Sequence, residues 1–208
     1  MSIAYTISAW NRRRKWNLFL QKLQPTATTS ILDVGFNAVE YSATDNFLEK
    51  NYLYPERITA LGINDPADFK KRYPKVSVVE YPGGQFPFPT QSFDIVWSNA
   101  VIEHVGDREK QLGFLKELRR VGKHGFITTP NRHFPVEVHT RTPLLHWLPK
   151  QWFHDYLKLV GKSWATGDYM QLLSEKELRQ LLVDAGMYEY QLIRNRCCGF
   201  TLDFAIIW

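Results

Sequence analysis

Five short apolar runs, each separated from the next by a stretch of helical or turn pattern, constrain this chain more than any other feature of its 208 residues. They are SILDVG (30–35), RITALGIN (57–64), VSVVEY (76–81), FDIVW (93–97) and HGFITT (124–129). Runs of this length, rich in aliphatic and β-branched residues, read as strands. Strands that alternate with helices imply a mostly parallel sheet covered on both faces, a doubly wound α/β architecture. Two more runs, 188–194 and 201–208, flank a turn at 197–199. They predict a terminal antiparallel hairpin and a total of seven strands.

The intervening helices carry their own punctuation. Ser8 is placed to cap a lead-in helix within 1–25, where Trp16, Phe19, Leu20 and Leu23 recur on one face before Pro25. A second helix is expected over 45–51, and Asp65-Pro66 opens a third. Asp107 caps a helix whose Phe114, Leu115, Leu118 and Val121 share a face. Ser174 and Glu177 form a capping box, with Leu178, Leu181, Leu182 and Ala185 as the buried stripe before Gly186.

The segment 131–170 breaks the alternation, being long and rich in Pro, His and Trp, with a helix expected near 149–159. A compact domain seldom keeps such a segment without a use. It reads as an inserted lid over the carboxyl ends of the strands or, alternatively, as an extra packing layer.

A hydrophobic content of 44% supports a sizeable core and a single domain over 1–208. No apolar stretch reaches a membrane span, the N-terminus lacks the apolar core of a signal peptide, and a cytoplasmic location is expected. Cys197 and Cys198 are adjacent, so no loop-closing disulfide and no metal site is read from them. The net charge of +5 is a mild bias, and its one dense run, Arg12, Arg13, Arg14 and Lys15, reads as a solvated helix face. An RNA or anionic-surface contact is the alternative for that run.

The first run and its turn, ILDVGFNAVEYS, resemble the opening of the class I S-adenosylmethionine-dependent methyltransferases, in which an acidic residue precedes a turn of the form DxGxGxG. Asp33 and Gly35 match, while Asn37 and Val39 occupy the two later glycine places. A second, more specific block, QFPFPTQSFDIVWSNAVIEHV (85–105), is similar to the small-molecule, type 11-like branch of that superfamily. The fifth strand and its TTPN follow where that branch has them.

The resemblance implies a Rossmann-like fold with S-adenosylmethionine as cofactor. It implies that Asp33 and Gly35 face the methionine end, that Phe36 and Asn37 beside them also bind the cofactor, and that Asn64 or Asp65 holds the ribose. Asp65 is also suited to helix capping. Gly83 and Gly84 stand where the family approaches the adenine, and Ser98, Asn99 and Ala100 beside the methionine moiety. His104 follows at the edge of the site, in a structural or a catalytic role.

Methyl transfer is an in-line displacement, so positioning supplies much of its rate, and a base is needed only for acceptors that lose a proton. His139, with Glu137 two residues before it to orient the ring, is the favoured candidate, and His133 the other. Asn131, Arg132, His133 and Trp147 are candidates for substrate contact, Arg132 because a guanidinium fork suits an acidic group. Trp152, Phe153, Tyr156 and Trp164 would extend an apolar wall with Trp147, or else pack the lid core. The leading expectation is methylation of a small aromatic or lipid-like molecule, with a catalytically degenerate binding module and an RNA methyltransferase as the alternatives. The residues do not reveal the oligomeric state.

Overall fold

A computed structural model describes residues 3–167 and 170–208. Met1 and Ser2 of the predicted lead-in segment and Asp168 and Tyr169 of the predicted lid lie outside the described residues. The elements run α1 (Ile3–Leu23), β1 (Ile31–Val34), α2 (Phe47–Asn51), β2 (Ile58–Gly62), α3 (Ala67–Arg72), β3 (Ser77–Glu80) and β4 (Phe93–Asn99). They continue through α4 (Arg108–Val121), β5 (Gly122–Pro130), β6 (Val136–Glu137), β7 (Thr142–Pro143), α5 (Lys150–Leu159), α6 (Glu175–Asp184), β8 (Gln191–Cys197) and β9 (Phe200–Ile207).

Seven strands form one sheet in the order β3-β2-β1-β4-β5-β9-β8, mostly parallel with an antiparallel C-terminal pair. β1 pairs in parallel with both β2 and β4, and β2 with β3. The order therefore reverses between β1 and β4, and open sheets take ligands at the carboxyl ends of the strands at such a point. The β8–β9 turn places Cys198 and Gly199 at φ 51° and 84°. Two consecutive positive φ values are the mark of the tight hairpin turn whose twist matches its strands.

The chain divides into two compact units, the first comprising residues up to 99 with 117–127 and 207–208, the second 100–116 with 128–206. In the first unit the core is aromatic. Trp97 and Phe126 stack at 5.0 Å, and the Phe19 ring meets both edge-on. Phe19 belongs to α1, and the same helix brings Trp16 against Phe47 and Trp97.

Two expectations for α1 are corrected. Ser8 is interior to a helix that starts at Ile3, so it caps nothing. The basic run is a solvated face only in part, because Asn11, Lys15 and Phe19 form the buried stripe and Leu20 turns outward. Spacing of four residues puts these three side chains in line. Arg14 lies over the Trp10 ring at 4.4 Å and donates to Asn11, which leaves Arg13 as the exposed member of the run.

In the second unit, α6 starts with the expected capping box, each partner of Ser174 and Glu177 receiving a backbone N–H from the other. It ends with Gly186 at φ 74°, whose N–H bonds to Val183 while that of Met187 bonds to Leu182. That pair of bonds is the Schellman closure that Gly186 predicted. Within 131–167, β6 and β7 form a separate two-stranded sheet, and Phe153, Leu157 and Ala165 make a small core of their own against Leu145 and Tyr156. Among the described residues no helix is long and apolar enough to cross a membrane.

Candidate functional site

The loop after β1 lacks two of the expected glycines, and its conformation shows what replaces them. Gly35 sits at φ 97°, which demands glycine, and its N–H bonds to Leu61 and extends the β1–β2 pairing. Asn37 and Val39 both avoid positive φ, so neither position calls for glycine there. The tolerance of asparagine for positive φ is used instead at Asn46, at φ 49° just before α2.

Asn46 is buried and holds the loop from beneath. Its Oδ1 accepts from the Asn37 N–H at 2.8 Å, and its Nδ2 donates to the Asn37 carbonyl and to Glu40. Asp45 accepts from the N–H groups of Tyr41 and Ser42, and Arg72 donates to the Ala38 carbonyl. Glu40 also meets Lys50 at 2.8 Å and takes the Tyr73 hydroxyl. Partial burial works against its charge, but these donors hold the Glu40 carboxyl below the usual range. Side-chain hydrogen bonds thus shape the loop at the places where the DxGxGxG pattern has glycine.

Phe36 turns inward, 4.4 Å from Phe69 between ring centroids. A Cβ at Gly62 would come within 2.5 Å of the Phe36 ring, so β2 ends in glycine to make room for it.

Asp33 is buried beside Glu49, a residue that the sequence patterns did not single out. Burial above all, then the neighbouring Glu49 charge, push the Asp33 carboxyl well above the usual range, while Arg12 draws it down. Burial raises Glu49 as well. Among the described residues no donor meets either Glu49 oxygen when both groups are ionised. A proton held on Asp33 and donated to Glu49 resolves this.

The folded chain therefore binds protons more tightly here than the unfolded one, and this contribution to stability is fully present below about pH 4 and is lost as pH rises through the folded values. Glu49→Gln is expected to stabilise the protein once pH exceeds the raised carboxyl values and to flatten the decline in stability with rising pH, read by urea unfolding across a pH series. An unchanged pH slope would show that the two carboxyls do not share a proton.

The other positions implicated in cofactor binding fall as follows. Asn64 and Asp65 are exposed beyond β2, and an Asp65 oxygen accepts the Ala67 N–H at 2.9 Å, so its carboxylate serves the start of α3. Gly83 and Gly84 stand at φ 93° and 81°, a backbone path reserved for glycine. Ser98 is buried and donates to the Val34 carbonyl, tying β4 to β1, with Asn99 next at the strand end. Ala100 sits at φ 59°, a conformation that costs a non-glycine residue about 1–2 kcal/mol. Its N–H bonds to Thr128.

The second unit gathers the candidate catalytic residues. His104 and His139 face each other with their Nε2 atoms 3.2 Å apart. His139 Nδ1 lies 2.9 Å from a Glu137 oxygen, which also accepts the His139 N–H. The pairing comes from a turn after β6, not from two side chains alternating along a strand. The second Glu137 oxygen takes the N–H and hydroxyl of Thr140. Burial opposes its charge, yet the bonds from His139 and Thr140 hold Glu137 at about 2.

Glu103 completes the cluster and was missed, although it stands beside His104 in the sequence. It is fully buried in the short helical turn Ile102–His104, with Oε2 accepting from Thr129 at 3.0 Å and Oε1 3.8 Å from His139 Nε2.

The remaining candidates are apart from that cluster in their bonding. Arg132 pairs with Glu177 at 2.7 Å, so the capping box of α6 occupies the guanidinium expected to meet substrate. Asn131 donates to the Thr201 carbonyl and bridges to Leu173. His133 is exposed, and its N–H bonds to Asn131. Trp147 donates to the Arg132 carbonyl with half its surface exposed, and Trp152 and Trp164 are also exposed, whereas Phe153 belongs to the small core.

A doubly wound sheet with a reversed terminal strand and a turn held at an acidic residue and a glycine is the architecture of the class I S-adenosylmethionine-dependent methyltransferases. The model of the methyltransferase-domain family matches residues 32–127 of the chain. No curated protein matches it in sequence. Among solved structures it resembles a SAM-dependent methyltransferase from Aquifex aeolicus, at 18% identity over 92% of this chain and 87% of that one, with a TM-score of 0.56. It also resembles a SAM-dependent methyltransferase from Methanosarcina mazei, at 19% identity over 88% and 92%, TM-score 0.53. A third is the Burkholderia thailandensis 1,6-didemethyltoxoflavin-N1-methyltransferase, crystallised with 1,6-didemethyltoxoflavin and S-adenosylhomocysteine, at 16% identity over 95% and 76%, TM-score 0.55.

Proposed function

We propose that the 208 residues act as one methyltransferase domain that binds S-adenosylmethionine and transfers its methyl group to a small acceptor, aromatic or lipid-like, rather than to a nucleic acid. The observation that carries this reading is the family match over 32–127, which takes in both the loop after β1 and the turn after β4. On this reading Asp33, Gly35 and the backbone around Asn37 meet the methionine end. Asn64 meets the ribose, since Asp65 is engaged at α3, and the Gly83–Gly84 backbone approaches the adenine. Asn99 and Ala100 border the sulfonium.

The exposed Trp147, Trp152 and Trp164 favour a carbon-rich acceptor. An acceptor with a proton to lose gives it up at the cluster of His104, Glu137 and His139. The partly buried basic run of α1 weighs against an RNA substrate, since phosphates need exposed cations. The reaction takes place in the cytoplasm on this reading.

Calorimetric titration of the purified chain with S-adenosylmethionine and S-adenosylhomocysteine tests the proposal. Binding at micromolar to sub-millimolar concentration is expected, and Asp33→Ala is expected to weaken it about tenfold or more. Absence of any heat at millimolar ligand would favour a degenerate binding module and end the methyltransferase reading.

A further inference from the structure

We propose that Glu103, His104 and His139 form a binding site for one divalent transition-metal ion of the zinc class, with Glu137 orienting His139 from behind. The three donor groups each offer an atom within 4.8 Å of the others. Two imidazoles and one carboxylate are a donor set suited to zinc and its neighbours rather than to magnesium or calcium, which take oxygen.

Three features of the cluster support this beyond composition. The first is the separation of the two Nε2 atoms, 3.2 Å. Metal–nitrogen bonds of about 2.0–2.1 Å at a near-tetrahedral angle set two nitrogens about 3.3 Å apart. The pair needs almost no movement to admit an ion.

The second is Glu103. Its side chain is fully buried, one oxygen is held by Thr129, and among the described residues no donor reaches the other. A hydrogen bond between the two histidines would account for their spacing but would leave that oxygen unsatisfied. Buried charges are paired or bind metals, and an ion shared with His139 satisfies both demands at once.

The third is Glu137, whose oxygen lies 2.9 Å from His139 Nδ1. A carboxylate that accepts the far N–H of a ligating histidine fixes the tautomer and leaves Nε2 as the lone-pair donor. Both imidazoles then bind neutral and Glu103 binds as the anion, so a divalent ion keeps one net positive charge.

Three protein ligands leave a fourth position open, the arrangement of a catalytic and not a purely structural zinc site. The site does not rest on the methyl-transfer reading.

The experiment uses the full chain with Cys197→Ser and Cys198→Ser, because two adjacent thiols not joined in a disulfide would bind zinc themselves. Chelator-stripped protein is titrated with zinc chloride against a chromophoric competitor, and in parallel with cobalt chloride while the visible absorption is recorded. The expected result is one equivalent bound at micromolar concentration or tighter, with the intense cobalt bands of a four-coordinate site and no response to magnesium. Glu103→Gln, His104→Gln and His139→Gln should each weaken binding about a hundredfold, and Glu137→Gln about 10–100-fold.

Zinc weaker than about millimolar, or zinc affinity unchanged in folded His104→Gln and His139→Gln variants, overturns the site. Should a variant unfold, the titration of the parent protein decides alone. The titration contains no S-adenosylmethionine, and cofactor binding is measured with chelator present, so each proposal can fail without the other.

Discussion

Phe126→Ala is expected to destabilise the chain by about 3–5 kcal/mol, the usual loss for emptying a fully buried aromatic site. The ring has no exposed surface, stacks on Trp97 at 5.0 Å and receives the edge of Phe19. Removing it leaves two large rings facing a void, and neither can close it without dragging a strand or α1 inward. Phe126→Leu keeps most of the volume and should cost less than about 2 kcal/mol. For a chain of this length the alanine variant should melt about 10 °C lower. Urea unfolding of both variants checks the ranking. A loss below 1 kcal/mol for alanine would mean that Phe19, and α1 with it, does not pack as described.

The strands were legible in the sequence because a buried parallel sheet leaves unbroken apolar runs, and HGFITT carries Phe126 in the middle of one. Caps were legible for the same local reason. The bonds of Ser174 and Glu177 lie within four residues, and so does the Asp107 bond to the N–H of Lys110. Helix α1 was misjudged at its start because its buried stripe includes Asn11 and Lys15, and polarity alone cannot show that a lysine is covered.

In the candidate sites, legibility stopped where a side chain acts on distant backbone. Glu137 and His139 were found from their spacing, although a turn and not a strand joins them. Glu103 escaped notice because its partners Thr129 and His139 are 26 and 36 residues away. Glu49 was hidden inside a short helix, where an acidic residue ordinarily faces water.

Asn46→Ala shows the same limit and tests it, since the residue has no motif around it and yet carries the loop. The expected result is a loss of about 2–4 kcal/mol together with at least a tenfold drop in affinity for S-adenosylmethionine. Stability falls because the Asn37 N–H loses its acceptor, at about 1–3 kcal/mol for a buried donor left unmade. Alanine also tolerates φ 49° less well than asparagine, worth about 1 kcal/mol more. Affinity falls further than stability alone requires, because Asn46 bonds to both the N–H and the carbonyl of Asn37 and to Glu40, fixing the loop between Gly35 and α2. Asn46→Asp separates the two effects: it keeps the acceptor for the Asn37 N–H and loses the donor to the Asn37 carbonyl and to Glu40, placing two carboxylates together. It should retain φ 49° and still bind cofactor poorly. Calorimetry with urea unfolding on both variants reads the split. Wild-type affinity in a destabilised Asn46→Ala protein would show that the loop does not hold the cofactor.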